Sequence, residues 1–283
     1  MQILRGLQSP DQQPIVLTIG NFDGVHLGHQ ALLNQLKEAA KARGLPTAVL
    51  VFEPHPREFF TPQQAPTRLT NMREKLELFA EAGLDRVHVC HFNSEFAQMS
   101  ATDFIHALHE KLRVKFVLIG DDFRFGSGRS GDFALMEKIG MQHGFAVQAM
   151  HTVQHEGIRI SSTAVRTSLA EGHMRMAQRY LGRPYSISGR VEHGDGMGRK
   201  LGFPTANMTL PNTDADRCDV LANGVVEAVK QVDVKVPTYD DATWKGFRLG
   251  NPQIYMGWVT PEDHPAIQAA VDTYKAVVTP NVK

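Results

Sequence analysis

Short β-rich apolar runs alternate with amphipathic stretches from about residue 15 to residue 150, and this alternation most constrains the fold of the chain. The predicted strands are residues 15–19, 47–52, 86–91, 116–119 and 146–150. The predicted helices between them are residues 30–43, 71–82, 101–112 and 132–143. Because strands that alternate with helices form a parallel sheet covered by those helices, the pattern predicts an α/β domain.

Composition limits the partners that the protein can have. The 283 residues are enough for two domains, and the 30 basic residues balance the 30 acidic ones. Without a global basic field we expect no nucleic acid and no membrane as a partner, so any phosphate binding must be local. No apolar run approaches a membrane span, the N-terminus does not resemble a signal peptide, and the two cysteines lack metal-ligand spacing. We therefore expect a cytoplasmic protein in which Cys90 is a core residue; whether copies of it self-associate stays open.

A glycine- and histidine-rich turn follows the first predicted strand, with the sequence G-N-F-D-G-V-H-L-G-H at residues 20–29. In open parallel sheets, ligands bind where strands end. A strand-to-helix turn presents free backbone N–H groups and the positive end of the helix dipole, which suit a phosphate. His26 and His29 add donors whose charge can change near neutral pH. Zinc is the rival interpretation, but no further ligands at zinc spacing complete such a site.

Two further loops follow predicted strands. In F-E-P-H-P at residues 52–56, two prolines fix the geometry of Phe52 and His55; an ordinary rigid turn is the alternative. In G-D-D-F-R-F-G at residues 120–126, aromatic and charged side chains lie between glycines, a composition suited to gripping a planar ring. An ordinary surface loop is the alternative there.

A fourth region of interest lies at the start of a predicted helix at residues 163–171. Ser162, Thr163 and Arg166 are spaced to form a second phosphate clamp, although hydroxyls in this place also cap helices. A predicted helix at residues 174–181 ends at a Gly-Arg-Pro break, after which the chain is β-rich, with a predicted strand at residues 185–192. The glycine-rich basic loop at residues 194–207 has Thr205 and Asn207 oxygens suited to a nucleotide and Mg²⁺.

Five motifs in this order closely resemble the bacterial bifunctional riboflavin kinase/FAD synthetase family. They are G-x-F-D-G-V-H-x-G-H at residues 20–29, F-x-P-H-P at 52–56, G-x-D-F-x-F-G at 120–126, S-S-T-x-x-R at 161–166 and G-R-x-L-G-F-P-T-A-N at 198–207. The resemblance implies a Rossmann-like nucleotidyltransferase domain with a parallel sheet, which transfers AMP from ATP to FMN to give FAD and pyrophosphate. It also implies a following β-barrel-type flavokinase domain, which phosphorylates riboflavin to FMN with ATP and Mg²⁺.

The resemblance also implies roles for residues that match its motifs. The catalytic residues are His26, His29 and Arg166. ATP would be bound by Gly20, Phe22, Asp23, Gly24, Gly28, Ser162 and Thr163. The flavin would be held by Phe52, His55, Pro56, Asp122, Phe123 and Phe125. In the kinase domain, ATP and Mg²⁺ would be bound by Gly198, Lys200, Pro204, Thr205 and Asn207, with Thr205 and Asn207 at the metal.

The family pattern ends at about residue 230. Asn223-Gly224-Val225-Val226 retains part of one further strand, and the later family motifs are not found. We therefore expect domains at residues 1–182 and 183–283, the second an incomplete barrel whose kinase activity is in question. Two alternatives stay open for the whole chain: a related H-x-G-H adenylyltransferase with another acceptor, and a non-catalytic flavin- or nucleotide-binding protein.

Overall fold

The computed structural model describes residues 1–9, 11–120, 122–150, 154–155, 158–188, 190–192 and 207–209. A six-stranded parallel sheet forms its centre, in the order β1–β4–β3–β2–β5–β6. The strands are β1 (Gln2–Arg5), β2 (Ile15–Ile19), β3 (Thr47–Glu53), β4 (Arg86–His91), β5 (Val114–Gly120) and β6 (Ala146–Met150). The predicted parallel α/β domain is thus confirmed.

Eight helices accompany the sheet in the described part of the chain. They are α1 (Leu27–Arg43), α2 (Pro56–Phe60), α3 (Met72–Glu81), α4 (Ser94–Gln98), α5 (Ala101–Leu112), α6 (Phe133–Gln142), α7 (Ser162–Ala170) and α8 (Met174–Leu181). Two short antiparallel pairs complete the description: β7 (Gln154–His155) with β8 (Ile158–Arg159), and β9 (Arg190–Glu192) with β10 (Asn207–Thr209). No described helix has both the length and the apolar character needed to cross a membrane.

Helices cover both faces of the sheet because strand side chains point alternately to opposite sides. Ile15, Leu17 and Ile19 of β2 belong to the core that contains the buried side chains of α5 and α6. Val16 belongs to the core on the opposite face, with the buried side chains of α1 and Phe79 of α3. The all-buried pattern of β2 follows from this double cover.

The chain reverses its direction of winding between β2 and β5. From β2 it proceeds to β3 and β4 on one side, and it then crosses to β5 and β6 on the other. Such a switch point leaves a crevice at the carboxyl ends of the two central strands, where α/β proteins bind ligands. The turn at residues 20–29 follows β2 and residues 122–126 follow β5, so they lie at the two strand ends that border this crevice.

A third apolar cluster joins α7 and α8 to the sheet domain. Val165, Leu169 and Leu181 are buried in it together with Leu69, which precedes α3. Leu27, the first residue of α1, packs against the same cluster. This packing holds the beginning of α7 next to the beginning of α1.

Some predicted boundaries differ from those in the structure. Helix α1 begins at Leu27 rather than at residue 30, so Gly28 and His29 lie in its first turn. The strand predicted at residues 185–192 is limited to β9, because the backbone N–H of Ser188 donates instead to Glu74 Oε1 of α3 at 2.7 Å. Strand β1 has only four residues and was not predicted. Cys90 is a core residue, as expected, and burial raises the pKa of its thiol to about 12.

Candidate functional site

The turn between β2 and α1 is tightly folded. Phe22, Gly24 and Val25 have φ values of 51°, 78° and 39°, in the left-handed region. The ring of Phe22 is buried and packs between Phe79 of α3, at a centroid distance of 5.4 Å, and His29, at 4.9 Å. Phe22 therefore supports the turn from within and leaves only its backbone for a ligand. A Cβ on Gly20 would lie 3.0 Å from the Phe22 ring, so a side chain at this position would require that ring to shift.

His26 and His29 form a stacked pair at the start of α1. Their ring centroids are 3.6 Å apart, and the Nδ1 atom of His26 accepts a hydrogen bond from the backbone N–H of His29 at 3.3 Å. A Cβ on Gly28 would lie 3.1 Å from the His26 ring and 3.3 Å from the carbonyl oxygen of Ile160. The glycine in H-x-G-H therefore leaves room for the first imidazole to cap the helix. The backbone N–H groups of Leu27 and Gly28 have no partner among the described residues.

Both imidazoles are neutral in this structure. Burial lowers the pKa of His26 to about 4, and burial together with the nearby His26 and Lys75 lowers the pKa of His29 well below its usual value. The expectation that their charge changes near neutral pH is therefore wrong for the free protein, because desolvation disfavours the imidazolium. Since Nδ1 of neutral His26 is an acceptor, its proton is on Nε2, which is then a donor.

Asp23 connects three parts of the site. Its carboxylate accepts hydrogen bonds from the backbone N–H groups of Leu69, at 3.0 and 3.1 Å, and Thr70, at 3.1 Å. It also forms an ion pair with Arg166 of α7. Both side chains are mostly buried, so water screens this pair only weakly. The carboxylate thus has its oxygens engaged by the protein and fixes the turn relative to α3 and α7.

Helix α7 brings the predicted second clamp against the turn. The Ser162 hydroxyl donates to the backbone carbonyl of Asp23 at 2.9 Å, and Arg166 Nε donates to the carbonyl of Thr67 at 2.6 Å. Ser161 caps the helix by accepting from the N–H of Ala164 at 3.2 Å, while the exposed Thr163 stands at its start. The structure therefore places the predicted clamp beside the histidine pair, with the Arg166 guanidinium already bound to Asp23.

Two further polar side chains hold the turn and were not predicted. Gln30 Nε2 donates to the carbonyl oxygens of Val25, at 2.9 Å, and Leu181, at 2.8 Å. Arg183 donates to the carbonyls of Gly24 at 2.8 Å and Val25 at 3.3 Å. Arg183 lies in the Gly-Arg-Pro break that the sequence only indicated as a boundary, so its local pattern gave no sign of this long-range contact.

An aromatic cluster lies at the carboxyl ends of β3 and β4. Five phenylalanines have ring centroids within 5.8 Å of at least one other member; they are Phe52, Phe59, Phe60, Phe92 and Phe96. Only Phe52 was predicted as a site residue. Phe60 is 61% exposed, although it packs against its neighbours. Phe92 is buried and the other three rings are partly buried, so the solvent-facing aromatic surface at the carboxyl edge of the sheet is mainly that of Phe60.

His55 and Pro56 begin the short helix α2 of the loop after β3. His55 Nδ1 accepts from the backbone N–H of Arg57 at 3.0 Å, and Pro56 is the first helical residue. Burial lowers the pKa of His55 to about 4, against the opposing influence of Asp23 and Glu58. His55 is therefore also neutral. Its electrostatic coupling to Asp23 shows that the loop after β3 and the turn after β2 approach each other.

The loop after β5 is closed on itself. Phe125 and Gly131 exchange backbone hydrogen bonds at 3.1 and 2.8 Å, and a Cβ on Gly131 would lie 2.6 Å from the Phe125 ring. Phe125 is buried against Phe104 of α5, so of the two predicted aromatic residues only Phe123, stacked on Phe125 at 5.5 Å, is partly exposed. Asp122 is exposed and forms an ion pair with Arg159 at 2.5 Å.

A cavity of about 700 Å³ lies apart from the histidine turn. It is lined by residues from the segment after β1, the end of β4, α4 and α5, and Phe96 belongs both to it and to the aromatic cluster. The described residues contain no group of three or more histidine, cysteine or acidic side chains placed to hold a metal ion. Of the predicted kinase residues, Gly198, Lys200, Pro204 and Thr205 lie outside the described residues; Asn207 is in β10, and its side chain is not described.

Two family models match the chain. The model for FAD synthetase matches residues 8–164, and the model for riboflavin kinase matches residues 181–279. The first match includes all the strands of the parallel sheet except β1. The second extends to residue 279, beyond residue 230, where the sequence motifs predict that the family pattern ends.

Individual relatives agree with these matches. The bifunctional riboflavin kinase/FMN adenylyltransferase of Escherichia coli K12 is 52% identical over 214 residues, covering 74% of this chain and 68% of that protein. The protein of the same name from Pseudomonas fluorescens is 47% identical over 213 residues, with the same shares covered. A crystal structure described as a macrolide-efflux protein from Streptococcus pneumoniae superposes with a TM-score of 0.63 at 28% identity, covering 74% of this chain and 69% of that one. The chain therefore belongs to the FAD synthetase family, together with the bifunctional riboflavin kinase/FMN adenylyltransferases.

Proposed function

We propose that the α/β domain transfers the adenylyl group of ATP to FMN, giving FAD and pyrophosphate. One observation supports this most strongly: two neutral, stacked imidazoles lie at the N-terminus of α1, and Gly28 provides the space for them. Helix N-termini bind phosphates through free N–H groups and the helix dipole. A neutral His26 adds its Nε2–H as a donor without the cost of burying a charge.

The ATP phosphates would then lie between the starts of α1 and α7. The N–H groups of Leu27 and Gly28 are free to bind one phosphate, while the exposed Thr163 and the remaining N–H groups of Arg166 face this region from α7. We propose that Mg²⁺ enters as part of the Mg–ATP substrate, because the carboxylate of Asp23, close to this place, is engaged by Arg166 and backbone N–H groups.

The flavin would lie across the carboxyl ends of β3 and β4. The phenylalanine cluster there has an exposed member in Phe60, and Phe123 is partly exposed on the other side of the crevice. Strands β2 and β3 are neighbours in the sheet, so the aromatic cluster and the histidine turn lie at adjacent strand ends. We propose that a flavin ring bound at the cluster extends its phosphate across this short distance toward the histidine turn. Asp122 and His55 would contact the polar edge of the flavin.

The chemistry requires positioning and charge stabilisation rather than a covalent enzyme intermediate. An oxygen of the FMN phosphate attacks the α-phosphorus of ATP, a new P–O bond forms, and the bond to the β-phosphate oxygen breaks to release pyrophosphate. Negative charge develops on the α-phosphoryl and pyrophosphate oxygens. Donors that are already fixed at those oxygens, such as His26 Nε2–H and the N–H groups of α1, stabilise that charge without reorganising.

We further propose that the second domain phosphorylates riboflavin to FMN, as the match to the riboflavin kinase family model supports. The residues proposed for its nucleotide and metal remain Gly198, Lys200, Pro204, Thr205 and Asn207. The division at residue 182 and the cytoplasmic location remain predictions.

One assay tests both activities. Purified protein is incubated with ATP and Mg²⁺ together with either riboflavin or FMN, and the flavins are separated chromatographically. Formation of FAD from FMN, with one pyrophosphate per FAD, is expected. Nicotinamide mononucleotide and phosphopantetheine serve as competing acceptors: preference for either would favour a related adenylyltransferase, and flavin binding without turnover would favour a binding protein.

A histidine variant tests the proposed site within that assay. His29→Ala is expected to bind FMN with unchanged affinity but to lose most adenylyl transfer, because the transferred phosphoryl group would lose a positioned donor. His106→Ala, at a partly exposed position of α5, is a control that should keep full activity. Normal FAD formation by the His29 variant would contradict the assignment.

A further inference from the structure

Lys75 is a buried cation with no role in the adenylyl transfer described above. It lies on α3, and only 6% of it is exposed. It precedes Phe79 by four residues and therefore shares the helix face that packs against Phe22, which in turn contacts His29. Thr70, two residues before this helix, is bound to Asp23 and to the N–H of Gly24. Lys75 lies one helical turn into α3 and therefore approaches the segment at residues 20–29 from the side that packs against α3.

The neighbouring acids are already neutralised by other residues. Asp23 pairs with Arg166, and Arg68 forms a bidentate pair with Glu53 at 2.7 and 3.1 Å while also bonding Glu58. Among the residues that the structure describes, the ammonium of Lys75 makes no hydrogen bond and no ion pair within 4 Å. Lysine is almost never buried without such a partner. A cation that is largely desolvated and has no partner makes the free protein less stable, and because its small exposed area reaches the ammonium, an anionic ligand can pair with it.

The electrostatics of the site agree with its geometry. Lys75 is close enough to His29 and His55 to contribute to the lowering of the pKa of each. Burial also lowers the pKa of Lys75 itself, while Asp23 and Glu53 act in the opposite direction. In addition, the Nδ1 atom of His29 is buried and has no hydrogen-bond partner in the described part of the chain. The ammonium of Lys75 and one ring nitrogen of His29 thus both lack a partner among the residues that the structure describes.

We propose that Lys75 binds the phosphates of ATP and that its ammonium supplies a positive charge to the histidine site from the side of α3. The inference rests on the proposed adenylyl transfer and adds a residue that lies outside the family motifs at residues 20–29 and 161–166. Lysine suits this role because it carries a compact charge on a flexible stem, which can follow a phosphate oxygen without fixed bidentate geometry. The anion supplies the partner that the free protein lacks.

The proposal predicts opposite effects on stability and on binding. In Lys75→Met the apolar stem is kept and the unpaired charge is removed, so the thermal unfolding temperature should be equal to or higher than that of the unchanged protein. Affinity for ATP should fall roughly 10- to 100-fold, as expected for loss of one charged hydrogen bond. Lys75→Gln should lose a similar factor, because it keeps polarity without charge. A purely structural lysine would instead lower stability and leave ATP affinity unchanged.

The full-length protein is used in two measurements. Calorimetric titration of ATP into the free protein, fitted with a separate site for the proposed kinase domain, gives the affinity of the histidine site, and steady-state FAD formation gives kcat and the KM values for ATP and FMN. The matched control is Lys37→Met: this half-buried lysine of α1 donates to the carbonyl of Ala82 at 3.0 Å, just after α3, and should keep its ATP affinity.

Three results would overturn the proposal. They are unchanged ATP affinity in Lys75→Met, full ATP affinity in Lys75→Gln, and loss of folding in the methionine variant, which would assign Lys75 a structural role. The titration measures ATP binding even if the protein makes no FAD. Failure of the proposed adenylyl transfer, which would appear as an inactive unchanged protein, is therefore distinguishable from failure of the proposal on Lys75.

Discussion

Gly28→Ala separates the stability of α1 from the function of the histidine pair. The added Cβ would lie 3.1 Å from the Cε1 and Nδ1 atoms of His26 and 3.3 Å from the Ile160 carbonyl oxygen, so the ring must move by a few tenths of an ångström. Its hydrogen bond to the N–H of His29, already 3.3 Å long, would then be lost. Loss of a helix cap costs about 1 kcal/mol.

The same substitution also has a stabilising effect of similar size. Alanine is favoured over glycine inside a helix by about 1 kcal/mol. The two contributions oppose each other, so the free energy of unfolding should change by less than about 1 kcal/mol. Adenylyl transfer should nevertheless fall by about 10- to 100-fold, because the His26 Nε2–H donor is displaced from the place where charge develops.

Urea unfolding and the FAD-forming assay measure these two quantities. Asn34→Ala, at an exposed position of the same helix, controls for the gain in helix propensity and should leave activity unchanged. If Gly28→Ala kept activity within about threefold, the role of this glycine as space for the imidazole would be refuted. A loss of stability well above 1 kcal/mol would show that Ile160, rather than the cap, limits the space.

Three other outcomes are expected. Asp23→Ala should lower the free energy of unfolding by about 3 kcal/mol in urea titration, because it leaves the Arg166 guanidinium without its buried partner; a loss below 1 kcal/mol would contradict this. The free energy of unfolding should fall as the pH is lowered from about 6.5 to about 4, because the unfolded chain protonates His26 in this range and the folded chain does not. His26→Gln should weaken this pH dependence of stability. An unaltered pH dependence in that variant would contradict the assignment of the effect to His26. Phe60→Ser should raise the KM for FMN while leaving stability and the KM for ATP almost unchanged, whereas an equal rise in both KM values would argue against a flavin at the cluster.

The sequence was most informative where the pattern is local. The apolar runs of β2, β4 and β6 predicted those strands with the bounds that the structure has, because periodicity and burial act over a few residues. The turn at residues 20–29 and the beginning of α7 were each predicted as anion sites. Their contact through Asp23 and Arg166 depends on the packing of α7, which no local pattern encodes.

The remaining features depend on distances between parts of the chain that are far apart in sequence. The neutral state of His26 results from burial, which is not visible in the residues around it. The aromatic cluster combines Phe52 with side chains from α2 and from the region after β4. Lys75 did leave a signal, since it is a charged residue at an apolar position of a helix, four residues before the buried Phe79.

The contacts of residues 183–188 determine where the polypeptide can be divided. Arg183 binds the carbonyl oxygens of Gly24 and Val25, and the Ser188 hydroxyl accepts a hydrogen bond from Asn71 at 2.9 Å. A truncated protein that ended at Leu181 would keep every strand of the parallel sheet and yet lose a guanidinium that holds the histidine turn. Dissection of the two activities into separate polypeptides therefore requires a cut after Ser188, so that the first fragment carries this short segment with it.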